Sequence, residues 1–267
     1  MTMFQLEFMC NAWVASTFIA LTCGVIGVFV IARNLSFLAH TLSEIGFAGA
    51  SFGVFTGLAP LDGMLLFTMI SAVAVGEMST EQSRREAAIA AISSLFMGLG
   101  ILFLSLANKS ASYATNILFG SIIGISVGEV WQLVGLSLFM LAVMFFAYRY
   151  LAFDSFDGIG ARVQHLPKHL LSVLFLLLLA ISVSISAQIV GSLLVFVLLT
   201  LPASSARYLV HTVPRMLLVS VGLALVGVWG GLALGYYTNW PVTFFIATIE
   251  VVVYLATLLY ARVTQGD

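Results

Sequence analysis

The sequence predicts an all-α integral membrane protein, a polytopic bundle of eight to nine transmembrane helices, from its composition and from the arrangement of its apolar residues. Of 267 residues, 61% are hydrophobic and only 8% are charged, where an ordinary soluble domain carries about 25% charged residues. The apolar residues fall in long unbroken runs and not in the alternation of a membrane barrel, so helices are the way this backbone satisfies itself in hydrocarbon. Residues 1–267 read as a single transmembrane domain. The net charge of -1 says little about partners, and no nucleic-acid partner is expected. Cys10 and Cys23 are too few for a disulfide framework or a cysteine metal cluster and read as buried spectators.

A spanning helix needs about 20 residues, and that ruler places the elements in order. The first, 10–31, has no Lys or Arg ahead of it and an apolar run about twice the length of a signal-peptide core, so it reads as a retained helix. Helices over 36–58 and 61–77 follow, joined at Ala59–Leu61 with almost no loop, and then one over 86–106. The stretch ASYATNILFGSIIGIS, 111–126, is only moderately apolar and reads as a surface or re-entrant segment. A helix over 130–152 leads into DSFDGIGARVQHLPKH, 154–169, the longest polar connection, where Pro167 stops any local helix from running on. Helices over 169–187 and 190–208 meet at Gln188–Ile189, again almost without a loop. The last two, 215–236 and 241–262, flank GYYTNWP, whose Tyr236, Tyr237 and Trp240 suit a membrane interface.

Basic residues orient the bundle. With the N-terminus outside, nine crossings put Arg33, Arg84, Arg85, Arg149, Arg162, Lys168, Arg207, Arg215 and Arg262 on one side and leave Lys109 alone on the other. Short cytoplasmic loops hold Lys and Arg, so the richer side is expected to be the cytoplasm, with the C-terminus there. If one segment is re-entrant, the count falls to eight.

Within so apolar a chain, AHTLSEIGFAG, 39–49, sets an ionisable His40 and Glu44 one helical turn apart. At about 100° per residue, His40, Glu44, Phe47 and Ser51 line one stripe, and Gly46, Gly49, Ala50, Gly53 and Gly57 line nearly the opposite one. One face can then look into a pathway while the other packs on a neighbouring helix. Imidazole and carboxylate at i and i+4 are competent zinc ligands, and a carboxylate also suits manganese or iron. A hydrogen-bonded structural couple is the plainer reading of the same pair.

Two donors do not complete a zinc site, which normally takes four. Glu250, about ten residues from either end of the last helix, stands where a carboxylate is costly; it is either a further pathway group or a protonated structural Glu, and Ser51 is a second pathway candidate. Asp62 and Glu129 read as solvated helix caps, and His165, His169 and His211 as loop residues. The chain has no G-x-x-x-x-G-K-[ST] phosphate loop and no H-E-x-x-H. It is therefore not read as an enzyme, and ATP chemistry would have to come from a partner.

RNLSFLAHTLSEIGFAGASFGVF, 33–55, resembles the second-helix signature of the membrane subunits of bacterial zinc and manganese ABC importers, in which an Arg, a Ser and two ligand-type residues precede a Gly-rich run. ILFGSIIGIS, 117–126, is similar to that family's segment after its fourth helix, SFDGIGARV, 155–163, to its cytoplasmic coupling loop, and VGSLLVFVLLTLPASSAR, 190–207, to its G-x-L-L-V…L-P-A-x-x-A-R helix. The family commonly has Asp or His at the position of His40 and His at that of Glu44, so carboxylate and imidazole stand here in a different order. The resemblance implies a type II ABC importer-like permease in a bacterial inner membrane. It would work as a homodimer that docks two cytoplasmic ATPase subunits through Ser155, Phe156, Asp157 and Ala161 and receives metal from an extracytoplasmic metal-binding protein. Metal is then cargo, zinc first and manganese or iron after it, bound by His40 and Glu44 in transit and not held as a permanent cofactor. An ion-coupled secondary metal transporter is the rival reading of an intramembrane His and Glu.

Overall fold

The structure, a computed structural model, describes residues 7–76, 82–109, 111–120, 125–156 and 168–265. These residues form ten helices: α1 (Glu7–Ala32), α2 (Ser36–Thr56), α3 (Pro60–Gly76), α4 (Gln82–Leu106), α5 (Ala111–Phe119), α6 (Val127–Phe156), α7 (Lys168–Val190), α8 (Ser192–Leu209), α9 (Val213–Thr238) and α10 (Val242–Gln265). Nine of them follow the expected spans in order, and α5 falls in the segment expected not to span. The main boundary difference is α6, which runs on to Phe156. Asp154, Ser155 and Phe156 are therefore its last turn and not loop.

Seven helices, α1, α4 and α6 through α10, are long and apolar enough to cross a membrane, fewer than the eight to nine expected. The two that fall short do so for different reasons. At 17 residues α3 is too short. At 21 residues α2 is long enough, but its His, Glu, serines and glycines dilute its apolar content. Protein surrounds it instead of lipid: most residues from Leu38 to Gly53 are buried, and α2 packs chiefly on α3 and α4, then on α8 and α7.

The near-absent loops are made by backbone devices. At the end of α1, Asn34 takes a left-handed conformation (φ 54°), with Asn34 N–H donating to Ile31 O and Leu35 N–H to Val30 O, the two bonds of a Schellman motif. Gly57 (φ 82°) ends α2 in the same way, Leu58 N–H reaching Gly53 O, and Pro60 opens α3 two residues later. The reversal lets the two backbones meet: a Cβ on Gly49 would collide with the carbonyl of Gly63, and one on Gly63 with that of Gly49.

At the α7–α8 junction the chain reverses at a single residue. Cys23 Sγ lies 3.1 Å from Ser186 Oγ and Arg33 lies over Phe175, so α7 runs antiparallel to α1. Gly27 packs on Leu199, and Ile31 shares a cavity wall with Arg207, so α8 runs parallel to α1. The turn falls at Gly191 (φ 93°). Irregular backbone within a membrane bundle is tolerated only where protein or a cavity surrounds it. Here Gly120 (φ 78°), just after α5, packs backbone to backbone against Gly191.

Gly49→Ala should lower thermal stability in detergent by about 1–3 kcal/mol, because a methyl has to displace backbone at the α2–α3 crossing. Gly98→Ala, where nothing lies within 4 Å of the added carbon, should melt within about 0.5 kcal/mol of the parent. Equal melting of the two variants would show that the crossing is not a tight constraint.

Candidate functional site

The Schellman turn after α1 delivers the chain into α2 within two residues, so the first turns of α2 are fixed to the end of α1. His40 and Glu44 lie about 6 and 12 Å along α2 from Ser36, at 1.5 Å per residue. Their side chains project together, with His40 Nε2 3.6 Å from Glu44 Oε1. They keep 37% and 26% of their surface exposed on a helix that is otherwise largely buried. The gap is slightly too long for a hydrogen bond and short enough for a shared ion: two donors at this separation subtend roughly 118° at an ion about 2.1 Å from each, close to tetrahedral.

The two groups are supported unequally. Ser93 of α4 donates its hydroxyl to Glu44 Oε2, which leaves Oε1 free to face His40. The His40 ring packs 5.2 Å from the Phe196 ring of α8, and its Nδ1 is buried without a hydrogen-bond partner among the described residues. A permanent metal-binding His ordinarily has its second ring nitrogen held by a carboxylate, carbonyl or water. One donor here is oriented and the other is only packed. Among the described residues no group of three or more His, Cys, Asp or Glu side chains is placed to hold an ion.

The structure brings together segments that lie far apart in sequence. Ser43, between the two candidate ligands, donates its hydroxyl to Ser192 O at the α7–α8 reversal. The Gly120–Gly191 contact adds the end of α5 to the same place. Phe119 and Gly120, from the FGS string whose Ser121 lies outside the described residues, thus meet VGS, 190–192, beside α2. Glycine at both positions is explained by left-handed backbone in close approach.

Of the stripe expected on α2, only His40 and Glu44 are open. Phe47 is fully buried, its ring lying where a Cβ on Gly100 of α4 would fall. Ser51 is buried too, and its hydroxyl donates to Phe47 O at 2.8 Å. The glycine stripe faces α3 at Gly46, Gly49 and Gly53, whereas Gly57 is the helix cap.

Glu250 is 1% exposed, and both its oxygens lack partners among the described residues. It is the third of three side chains, Val242, Ile246 and Glu250, laid into a groove of Gly235, Gly231 and Gly227 on α9. It is not beside His40 and Glu44. Glu129 caps α6 as expected: its carboxylate accepts from Ser126 N–H and Oγ, both at 2.8 Å, while Ser126 Oγ accepts from Glu129 N–H.

At the bundle end that holds the C-termini of α1, α6 and α8, a cavity of about 390 Å³ is lined by Asn34, Ser155, Phe156, Arg207 and His211 among others. Of the coupling-loop residues, Ser155 and Phe156 are described, and Asp157 and Ala161 lie outside the described residues. Two partners were not foreseen. Ser93 is one serine among several on α4, with no local mark. Arg33, paired with Asp154 at 2.8 Å, was marked only as the Arg of the second-helix signature, with nothing to show its partner.

Residues 5–261 match a family described as the ABC 3 transport family. The chain is 31% identical over 259 residues to an uncharacterized membrane protein of Synechocystis sp., covering 97% of this chain and 92% of that one. It is 27% identical over 252 residues, 94% of this chain and 84% of the other, to the manganese transport system membrane protein MntC of Halalkalibacterium halodurans. Its fold superposes with a TM-score of 0.87 on PsaBC from Streptococcus pneumoniae, solved in complex with Fab, at 23% identity over 96% of this chain and 92% of the other. Matched over nearly its whole length, the chain belongs to the ABC 3 transport family.

Proposed function

We propose that this chain is the membrane subunit of an ATP-binding cassette importer in a bacterial inner membrane, and that it forms the pathway for a divalent transition metal which His40 and Glu44 bind in transit. The observation that carries the reading is the convergence of an imidazole and a carboxylate 3.6 Å apart, partly exposed, with no third His, Cys, Asp or Glu ligand beside them among the described residues. Two donors strip water from an ion without holding it, as passage requires. Family membership supports the transport class and removes the ground for ion-coupled secondary transport.

The permease acts as a homodimer, in which each copy carries its own His–Glu pair. Two cytoplasmic ATPase subunits dock on the loop that begins at Ser155 and Phe156 and continues through Asp157 and Ala161. An extracytoplasmic metal-binding protein delivers the ion. All the helices except α5 lie in the bilayer, α2 wrapped by its neighbours, with the N-terminus outside and the C-terminus cytoplasmic. Ser51 and Glu250 meet the ion only in a conformation that opens the bundle, since both are buried here. The manganese relative makes manganese the first cargo to test; the near-tetrahedral donor angle keeps zinc as the second.

His40→Ala and Glu44→Ala should each cut uptake of radiolabelled manganese or zinc by about 10–100-fold, and Ser93→Ala, which removes only the support of Glu44, by about tenfold. Glu44→Gln distinguishes ligand from hydrogen-bonded couple, because an amide keeps the hydrogen bonds and loses the anionic donor. Near-parental uptake by Glu44→Gln would make the pair structural. Glu44→His should retain partial uptake.

In a background lacking Cys10 and Cys23, a cysteine at Ser83 should react only with a cytoplasmic thiol reagent and one at Thr238 only with an external one. The reverse pattern overturns the orientation. Asp157→Lys should abolish copurification with the ATPase, since a reversed charge is not tolerated in a buried contact.

A further inference from the structure

The last turn of α6 is tied to the end of α1 by one side chain. Arg33, the first residue after α1, donates from Nε to Ser155 Oγ at 2.8 Å and from a terminal nitrogen to Asp154 Oδ2 at 2.8 Å. The ion-paired side chains are only 11% and 12% exposed. Burial lowers the pKa of the guanidinium from its ordinary value, and the Asp154 carboxylate opposes the fall. The same guanidinium lies 4.6 Å from the centroid of the Phe175 ring of α7, and Phe29 of α1 packs between Phe156 and Phe175, 6.2 Å from each. Three helices are thus joined at one charged group.

Stability alone does not account for such a joint, because well-packed apolar side chains commonly stabilise as well as a buried ion pair does. The guanidinium fork adds direction, engaging two adjacent residues at fixed angles. On its other side, Arg33 is continuous with the Schellman turn at Asn34 and Leu35, and α2 begins at Ser36. Six residues, 34–39, lie between Arg33 and His40. No flexible loop lies between them.

We infer that Arg33 is the strut through which the loop that follows α6 moves the metal-binding helix. It holds Asp154 and Ser155 at the root of that loop and passes their displacement across the α1–α2 turn to His40 and Glu44. Phe156, 41% exposed, and Ser155 line the adjoining cavity, so the loop root can be reached from outside the bundle while Asp154 stays buried against Arg33. The inference rests on the reading of that loop as the ATPase contact, and it uses only Asp154, Ser155 and Phe156 of α6. Arg33 touches no ion. It is a positioning residue, acting through α2.

The test reconstitutes the full complex of permease, ATPase and metal-binding protein in vesicles and reads ion uptake and phosphate release together, with manganese(II) and zinc(II) in separate runs. Arg33→Ala should copurify with the ATPase and keep basal hydrolysis within about twofold, while uptake falls about tenfold, so that ATP consumed per ion rises about tenfold. Arg33→Lys, which keeps the charge and loses the fork, should fall between. Exchanging the pair, Arg33→Asp with Asp154→Arg, should recover uptake that Arg33→Asp alone loses. A merely structural Arg33 would lower the yield of complex and leave the ATP-per-ion ratio of the surviving complex unchanged. A parental ratio in Arg33→Ala, or in Arg33→Lys if the alanine variant does not assemble, overturns the strut. If Asp157→Lys docks and transports normally, the coupling-loop reading fails and the strut falls with it. If Asp157→Lys is defective while Arg33→Ala keeps the parental ratio, the loop stands and the strut alone is wrong.

Discussion

A polar group buried in hydrocarbon has no water to turn to, so each one in this bundle must find a partner in the chain or be held at a cost. Several hydroxyls meet the demand within their own helix. Thr41, Ser51, Thr68 and Thr200 each donate to the carbonyl four residues back, at 2.7–3.0 Å. Others tie helices together: Thr68 to Ser184 at 2.8 Å, Ser220 to Gly24 O at 2.8 Å, and Ser43 to Ser192 O. Against that background the ionisable exceptions stand out. An unpartnered serine is a modest loss, whereas His40 Nδ1 and both oxygens of Glu250 are far more expensive to leave unmet. Such groups persist where function requires them or where another conformation satisfies them.

The same medium explains the glycines. Lipid is as apolar as leucine, so helices gain little from hiding aliphatic side chains from it and associate through close packing and interhelical hydrogen bonds. Glycine permits that approach at Gly49 and Gly63, at Gly27 against Leu199, and along Gly227, Gly231 and Gly235. The first of these matters for the candidate site. Pinned to α3 on its glycine face, α2 presents His40 and Glu44 from a supported position, with α4 supplying Ser93 and α8 supplying Phe196. Only the side toward Nε2 and Oε1 is left open.

Sequence pattern carried the helices well, because each span is a local run of apolar residues bounded by turn chemistry. It placed α2 as a helix, although α2 is less apolar than a lipid-facing span because it is wrapped in protein. It also extended the face of α2 too far, treating Phe47 and Ser51 as companions of His40 and Glu44 when α4 closes over Phe47. His40 and Glu44 were legible because two ionisable groups at helical spacing are rare in such a chain. Their supports were not. Ser93 lies 49 residues from Glu44, and Asp154 lies 121 from Arg33; no local period encodes either distance. The meeting of Gly120 with Gly191 was invisible for the same reason, although both glycines belong to motifs whose resemblance to the family was plain.

The unequal support of the two candidate ligands has a consequence for how an ion would pass. A site in which every ligand is oriented by an outer hydrogen bond binds tightly and releases slowly. Here Glu44 is oriented by Ser93, while His40, packed on Phe196 with Nδ1 unmet among the described residues, can turn without breaking a hydrogen bond there. The carboxylate can therefore receive the ion in a fixed place and the imidazole can let it go. Because α2 starts just after the turn that Arg33 anchors, a small shift of the α1 end would move α2 against Ser93 of α4 and Phe196 of α8, and with them the support of the two donors. Affinity would then follow the position of the helix, which is what a carrier needs if it is to take up an ion in one conformation and yield it in the next.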